Sequence, residues 1–176
     1  KSLLVAPLEE KIAKTITLKK GPNIGTFPTI EKPKSSYKLT TLLKVGDNIS
    51  TDEILPAGSK VLPYRSNIKK ISEFVYNNLD IDYFKKANEV KEHCLVGGEN
   101  YGQGSSREHA VLAPVFLGLK FILAKSFSRI YRSNMVNYGV IPMIFENPED
   151  YEKCEMGQKI YINDTFNFLE NVTATV

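Results

Sequence analysis

Apolar residues fall along this chain in short runs divided by glycine, proline and polar punctuation, and the runs alternate between two periods. Tyr37 to Val45 has strand composition, and Cys94-Leu95-Val96 is a second, shorter strand. Between them Ile68, Ile71, Phe74, Val75 and Leu79 recur at helical spacing, with Asn67 placed to cap that helix. Asp82 to Glu92 reads as a weaker, more polar helix. A glycine-rich stretch follows the second strand and runs into Ala110 to Leu117, a helical run with Ser105 or Ser106 as N-cap and Gly118 as its end. Pro114 within it predicts a kink or an early stop. Phe121 to Ala124 reads as a buried strand, Ser126 to Tyr138 as a helix closed by Gly139, and Val140 to Phe145 as a strand that Pro142 assigns to an edge or bulge. Pro148 opens a short helix, and Lys159 to Ile162 and residues 166–176 supply late strands. Strands alternating with helices predict an α/β domain with parallel pairings at the centre of its sheet.

Residues 1–36 lack that rhythm. Thr15-Ile16-Thr17-Leu18 is a strand candidate, but Gly21-Pro22, Pro28, Pro33 and Ser35-Ser36 break any longer element, so the stretch reads as a linker and the domain as 37–176. With no initiator Met, the chain reads as part of something longer. Glu9 and Glu10 come too early for a signal peptide, and no apolar run approaches the ~20 residues that span a bilayer.

The 176 residues suffice for one domain with an ordinary core. A net charge of +3, with basic and acidic residues interspersed, argues against a nucleic-acid module. Cys94 and Cys154 belong to no Cys-x-x-Cys pair, so they read as two reduced thiols in a cytoplasmic protein rather than metal ligands. The sequons at Asn48, Asn163 and Asn171 read as chance matches.

The chemistry concentrates in Gly97-Gly98-Glu99-Asn100-Tyr101-Gly102-Gln103-Gly104-Ser105-Ser106-Arg107-Glu108-His109. Glycines let loop amides approach an anion, and a helix start adds free N–H groups. Arg107 stands where a dinucleotide fingerprint needs its third glycine, and no Gly-x-Ser-x-Gly elbow is present, so both of those readings fail. Two serines and an arginine at a glycine-framed helix start suggest instead a carboxylate held by the guanidinium beside a serine whose alkoxide the positive field favours. Such a serine could take a proton from carbon next to a carboxylate. Upstream, Ser50-Thr51-Asp52 and Pro63-Tyr64-Arg65-Ser66-Asn67 form a second polar cluster on loops, in which Asp52 taken alone is a helix cap and Arg65 a solvated charge. His109 reads as structural rather than acid–base, and so does His93.

The run Gly98 to His109 resembles the signature of the aconitase C-terminal (swivel) domain. The likeness continues through Ala124-Lys125-Ser126-Phe127-Ser128-Arg129-Ile130, Asn137-Tyr138-Gly139-Val140-Ile141-Pro142, Gly46 to Asp52 and Ile54-Leu55-Pro56-Ala57-Gly58, and covers about Val45 to Tyr151. It implies a swivel-type β/β/α fold whose partly parallel sheet is flanked by helices. It also implies that residues 1–36 end a preceding domain and link it to this one. The activity implied is dehydration and rehydration between citrate and isocitrate through cis-aconitate. In that resemblance Ser105 matches the catalytic base, Ser106 and Arg107 match substrate-binding positions, Arg65 matches a second carboxylate-gripping arginine, and Asp52 matches an acidic active-site residue. A [4Fe-4S] cluster is implied on the other domains, and none is expected on this chain alone. The partners implied are a tricarboxylate and those cluster-bearing domains, with no membrane. Glu53 departs from the family's usual histidine, which bears on local charge and substrate preference.

The small subunit of an isopropylmalate or homoaconitate dehydratase shares the glycine–serine–arginine signature and is the near alternative; Leu62-Pro63-Tyr64-Arg65-Ser66-Asn67 is the more aconitase-like loop. RNA binding is the alternative of another class, weakened by the modest charge. A purely structural domain is the plainest one.

Overall fold

The computed structural model describes residues 3–166. Its centre is a five-stranded sheet built from β1 (Tyr37–Lys44), β2 (His93–Gly97), β3 (Leu119–Ala124), β4 (Ile141–Ile144) and β5 (Lys159–Ile162), in the order β4-β3-β2-β1-β5. The pairs β1·β2, β2·β3 and β3·β4 are parallel, and β5 runs antiparallel to β1. The predicted α/β class and partly parallel sheet are therefore present. Pro142 sits on an edge strand, where its missing N–H leaves no ladder bond unmade.

Parallel neighbours need crossovers, and each carries a helix. α4 (Tyr83–Val90) lies between β1 and β2, α5 (His109–Phe116) between β2 and β3, and α6 (Arg129–Asn137) between β3 and β4. All three pack on one face: Ala87, Ala110 to Ala113, Tyr131 and Met135 share a core with Leu42, Leu43, Leu95 and Ile122. An irregularity in the β1·β2 register between Thr41 and Leu43 lets consecutive Leu42 and Leu43 both join that core, which strict alternation forbids. The opposite face holds a smaller cluster of Tyr37, Leu39, Cys94, Phe121, Ile141 and Ile162.

Local breaks alter several expected elements. The helix expected from Ile68 to Leu79 divides into α3 (Ile68–Ile71) and a 3-10 turn, Ser72–Phe74. Asn67 caps α3 as expected, through Lys70 N–H to its Oδ1 at 3.1 Å. The chain then leaves helical geometry at Tyr76 (φ 54°), whose N–H donates to the Ile54 carbonyl at 2.8 Å. A long-range bond thus replaces the next helical turn, while Val75 and Tyr76 stay fully buried. Gly139 does close α6, at φ 74°. Pro148 opens a 3-10 helix, Pro148–Lys153.

Before the sheet, Thr15 to Leu18 forms no strand; one helical turn, α1 (Glu10–Ala13), stands there with exposed Ile12, Ile16 and Leu18 around it. The apolar alternation has no neighbouring strand to pair with among the described residues. Nearer the domain the segment docks: Lys34 pairs with Glu92 at 2.7 Å, and Lys120 reaches Glu31 at 3.3 Å. The late strand expected at 166–176 lies outside the described residues beyond Phe166. No helix among the described residues is long and apolar enough to cross a membrane.

Candidate active site

The three loops that leave the carboxyl ends of β1, β2 and β3 meet above the sheet, the usual place for a site in a parallel fold. The glycine loop lies between the other two and is tied to both. From the β1 loop, Gly46 O accepts from Gly98 N–H at 3.1 Å, Asp47 Oδ1 from Glu99 N–H at 2.7 Å, and Ile49 O from Gly102 N–H at 2.7 Å. From the β3 loop, Ser126 Oγ accepts from Asn100 N–H at 2.7 Å, and Ser128 Oγ donates to Gly102 O at 2.6 Å. The expectation that these amides are free to cradle an anion is corrected: from Gly98 to Gln103 they bind the protein itself. Glycine is needed for contact rather than for a ligand. A Cβ at Gly98 would lie 2.0 Å from Asp47 Oδ1, and one at Gly102 (φ 79°) would lie 2.1 Å from the Tyr131 ring.

Tyr101 anchors the loop from below. It is fully buried, shares a hydroxyl–hydroxyl bond with Tyr76, and meets Phe127 and Tyr131 edge-on. Burial pushes the phenols of Tyr76, Tyr83, Tyr101 and Tyr131 well above the usual tyrosine range, so all four are neutral hydrogen-bonding groups.

The loop delivers Ser105, Ser106 and Arg107 just ahead of α5. Neither serine caps that helix, contrary to expectation; its N-cap is Glu108, and it begins at His109. The cap is displaced because Thr51 holds the chain at Ser105, its Oγ1 donating to the Ser105 carbonyl at 3.1 Å. Both serine side chains are exposed and form no hydrogen bond with the described residues.

Arg107 is largely buried and reaches across to α2 (Thr51–Ile54). Its Nη1 donates to Leu55 O at 2.9 Å, and its Nη2 to Thr51 Oγ1 at 3.2 Å and Asp52 Oδ1 at 2.8 Å. Its Nε–H is buried without a partner among the described residues. Asp52 is mostly exposed, so this pair adds little stability and acts mainly to aim the guanidinium. Asp52, Arg107 and the Ser105 backbone are thus brought together, with Thr51 at their junction. Sequence reasoning placed Thr51 in the polar cluster without giving it that part. Its signal was a β-branched hydroxyl between a cap serine and an acid.

Glu53, the departure from the family pattern, turns away from this cluster. Its Oε2 accepts from Ser50 N–H at 2.7 Å and Ser50 Oγ at 2.8 Å, while Glu53 N–H donates to Ser50 Oγ at 3.2 Å. The carboxylate completes a capping box on α2.

Arg65 is exposed at the end of a 3-10 turn, Leu62–Tyr64. Its carbonyl accepts from His109 Nε2 at 2.7 Å, which joins its loop to the start of α5. His93 is structural in geometry: wholly buried, it takes Tyr83 Oη on Nε2 at 2.7 Å and faces Lys91 O through Nδ1 at 3.2 Å. Cys94 is also buried, with its thiol pushed up to about 12 by burial and its sulfur 3.7 Å from Thr41 Oγ1. No three His, Cys, Asp or Glu side chains among the described residues gather as a metal site, and this donor set does not fit an iron–sulfur cluster.

Residues 38–148 match the family model of the aconitase C-terminal domain. The chain belongs to that family. Within it, this domain is 35% identical over 153 residues to the mitochondrial aconitate hydratase of Candida albicans, a match that covers 72% of this chain and 19% of that protein. It is 40% identical over 132 residues to the 3-isopropylmalate dehydratase small subunit of Caldanaerobacter subterraneus, covering 74% of this chain and 77% of that one. The crystal structure of 3-isopropylmalate dehydratase (leuD) from Methanocaldococcus jannaschii superimposes with a TM-score of 0.62 at 33% identity, over 72% of this chain and 70% of that one. The aconitase C-terminal domain described here therefore spans about a fifth of the length of the aconitate hydratase it matches and most of the length of the small subunit.

Proposed function

We propose that this domain supplies the proton-abstracting serine and the carboxylate-binding cations of an aconitate hydratase. The observation that carries the reading is the link from Asp52 through Arg107 and Thr51 to Ser105, with Arg65 tied to the same helix start by His109. One guanidinium held beside the Ser105 backbone, with a second arginine on the adjoining loop, suits a substrate with several carboxylates.

In this reading Ser105 Oγ, as its alkoxide, takes the proton from the carbon next to a substrate carboxylate. The electron pair left behind raises the charge on that carboxylate, and Arg107 and Arg65 stabilise it. Ser106 adds a hydroxyl donor, and Asp52 keeps Arg107 aimed. In this reading the iron–sulfur cluster implied by the family resemblance belongs to the other domains, because two cysteines, Cys94 and Cys154, are too few to hold one. The domain alone is then inactive, and the site is completed at an interface.

A second reading is favoured by the 40% identity to an isopropylmalate dehydratase small subunit across 77% of its length. The test is aconitate formation from citrate, and dehydration of isopropylmalate, by the complete cluster-loaded enzyme with native Ser105 and with Ser105→Ala. Citrate turnover that falls by about 10³-fold or more in the variant supports the proposal. Turnover of isopropylmalate alone transfers the domain to the second reading, and activity indifferent to Ser105 removes the serine from the chemistry.

A further inference from the structure

We propose that His109 is a positioning residue for Arg65, setting the separation between the two carboxylate-binding arginines. The inference rests on the function proposed above and assigns work to a histidine that otherwise reads as structural.

Arg65 lies on a stretch that pairs with no strand. It follows a single 3-10 turn, and its side chain is exposed. A long cation on such a loop loses grip because backbone and side-chain freedom must both be surrendered when substrate binds. The structure removes the backbone part beforehand. His109 Nε2 lies 2.7 Å from Arg65 O, and since a carbonyl only accepts, that nitrogen carries the hydrogen. The next carbonyl, Ser66 O, accepts from Gly25 N–H at 2.8 Å, and Asn67 caps α3 immediately afterwards. Gly25 can approach because it has no side chain; a Cβ there would lie 2.9 Å from Asn67 Oδ1.

His109 begins α5, two residues after Arg107 on the same segment. One hydrogen bond therefore joins the frame that carries Ser105 and Arg107 to the loop that carries Arg65. Arg65 and His109 also share the wall of a cavity of about 340 Å³, together with Phe27 and Glu108. The imidazole is spent on a backbone carbonyl through Nε2, and its effect on chemistry runs through where Arg65 stands.

Three variants of the complete enzyme test this: His109→Ala, His109→Gln and Arg65→Ala. Loss of one such bond raises KM by about three- to tenfold and changes kcat less. His109→Gln, which offers an amide N–H from a similar reach, restores KM to within about twofold. In the Arg65→Ala background, His109→Ala has no further effect. Amide hydrogen exchange at residues 65–68 of the full chain accelerates in His109→Ala and not in His109→Gln. Equal effects of His109→Ala with and without Arg65, or exchange that does not respond, overturn the proposal. If the native enzyme turns over no tricarboxylate, the proposed function fails while the exchange measurement still decides whether His109 holds the loop.

Discussion

Tyr131 donates to the carbonyl of Ala110 at 3.2 Å, the one acceptor in α5 that Pro114 cannot serve. A proline lacks the N–H that would reach four residues back, so an interior proline leaves an orphan carbonyl, and here that carbonyl is buried. A phenol from α6 fills the vacancy, and the helix continues to Phe116. The early stop that Pro114 predicts therefore does not occur. The same ring lies under Gly102, so the repair of α5 also supports the loop that carries Ser105.

Removing that phenol tests the pairing. Tyr131→Phe should cost about 1–2 kcal/mol of stability, because the Ala110 carbonyl stays buried without a donor. In a Pro114→Ala background the restored N–H can serve Ala110, and the cost of Tyr131→Phe should shrink. Denaturant midpoints of the four proteins check it; equal costs in both backgrounds would refute the relationship.

Thr51 should matter to activity more than its uncharged side chain suggests. Thr51→Val keeps the shape but leaves Ser105 O and Arg107 Nη2 short of a partner. Turnover by the complete enzyme should drop about tenfold or more, and Thr51→Ser should recover most of it. A Val variant as active as the parent would mean that the hydroxyl does not set the site.

Acid should destabilise the domain through His93. Burial pushes this imidazole down to about 4, and Tyr83 occupies the nitrogen that would be protonated. The unfolded chain takes up the proton near 6.5 and the folded chain only near 4. Stability from this residue is therefore complete above about pH 6.5 and is lost as pH falls toward 4, by about 2 kcal/mol between pH 7.5 and pH 5. His93→Gln should flatten the slope over that window in denaturant titrations at several pH values. An unchanged slope would assign it to other groups.

Much of the fold was legible because each element was written in its own period. Ile68, Ile71 and Val75 are buried as their spacing requires, Asn67 caps the helix it precedes, and Pro142 sits on an edge strand. The alternation of strand and helix was enough to imply parallel pairing, since parallel neighbours need a crossover. The elements that failed did so where no neighbour, or an unforeseen one, decided the matter. Thr15 to Leu18 had alternation without a strand to pair with, and the helix after Phe74 gave way to a bond from Tyr76 to Ile54.

The sequence by itself determined which residue types stand at the helix start, that a serine and an arginine stand together there, and that the helices between strands bury one face. These are properties of spacing, and spacing is local. Tertiary structure alone decided how the donors are spent: the loop amides on the protein, Arg107 on Leu55 and Asp52, Thr51 on Ser105, and His109 on Arg65. Each of these four joins residues 25 or more positions apart. No local pattern encodes such a pairing, because a hydrogen bond depends on where two distant backbones arrive once the core has packed.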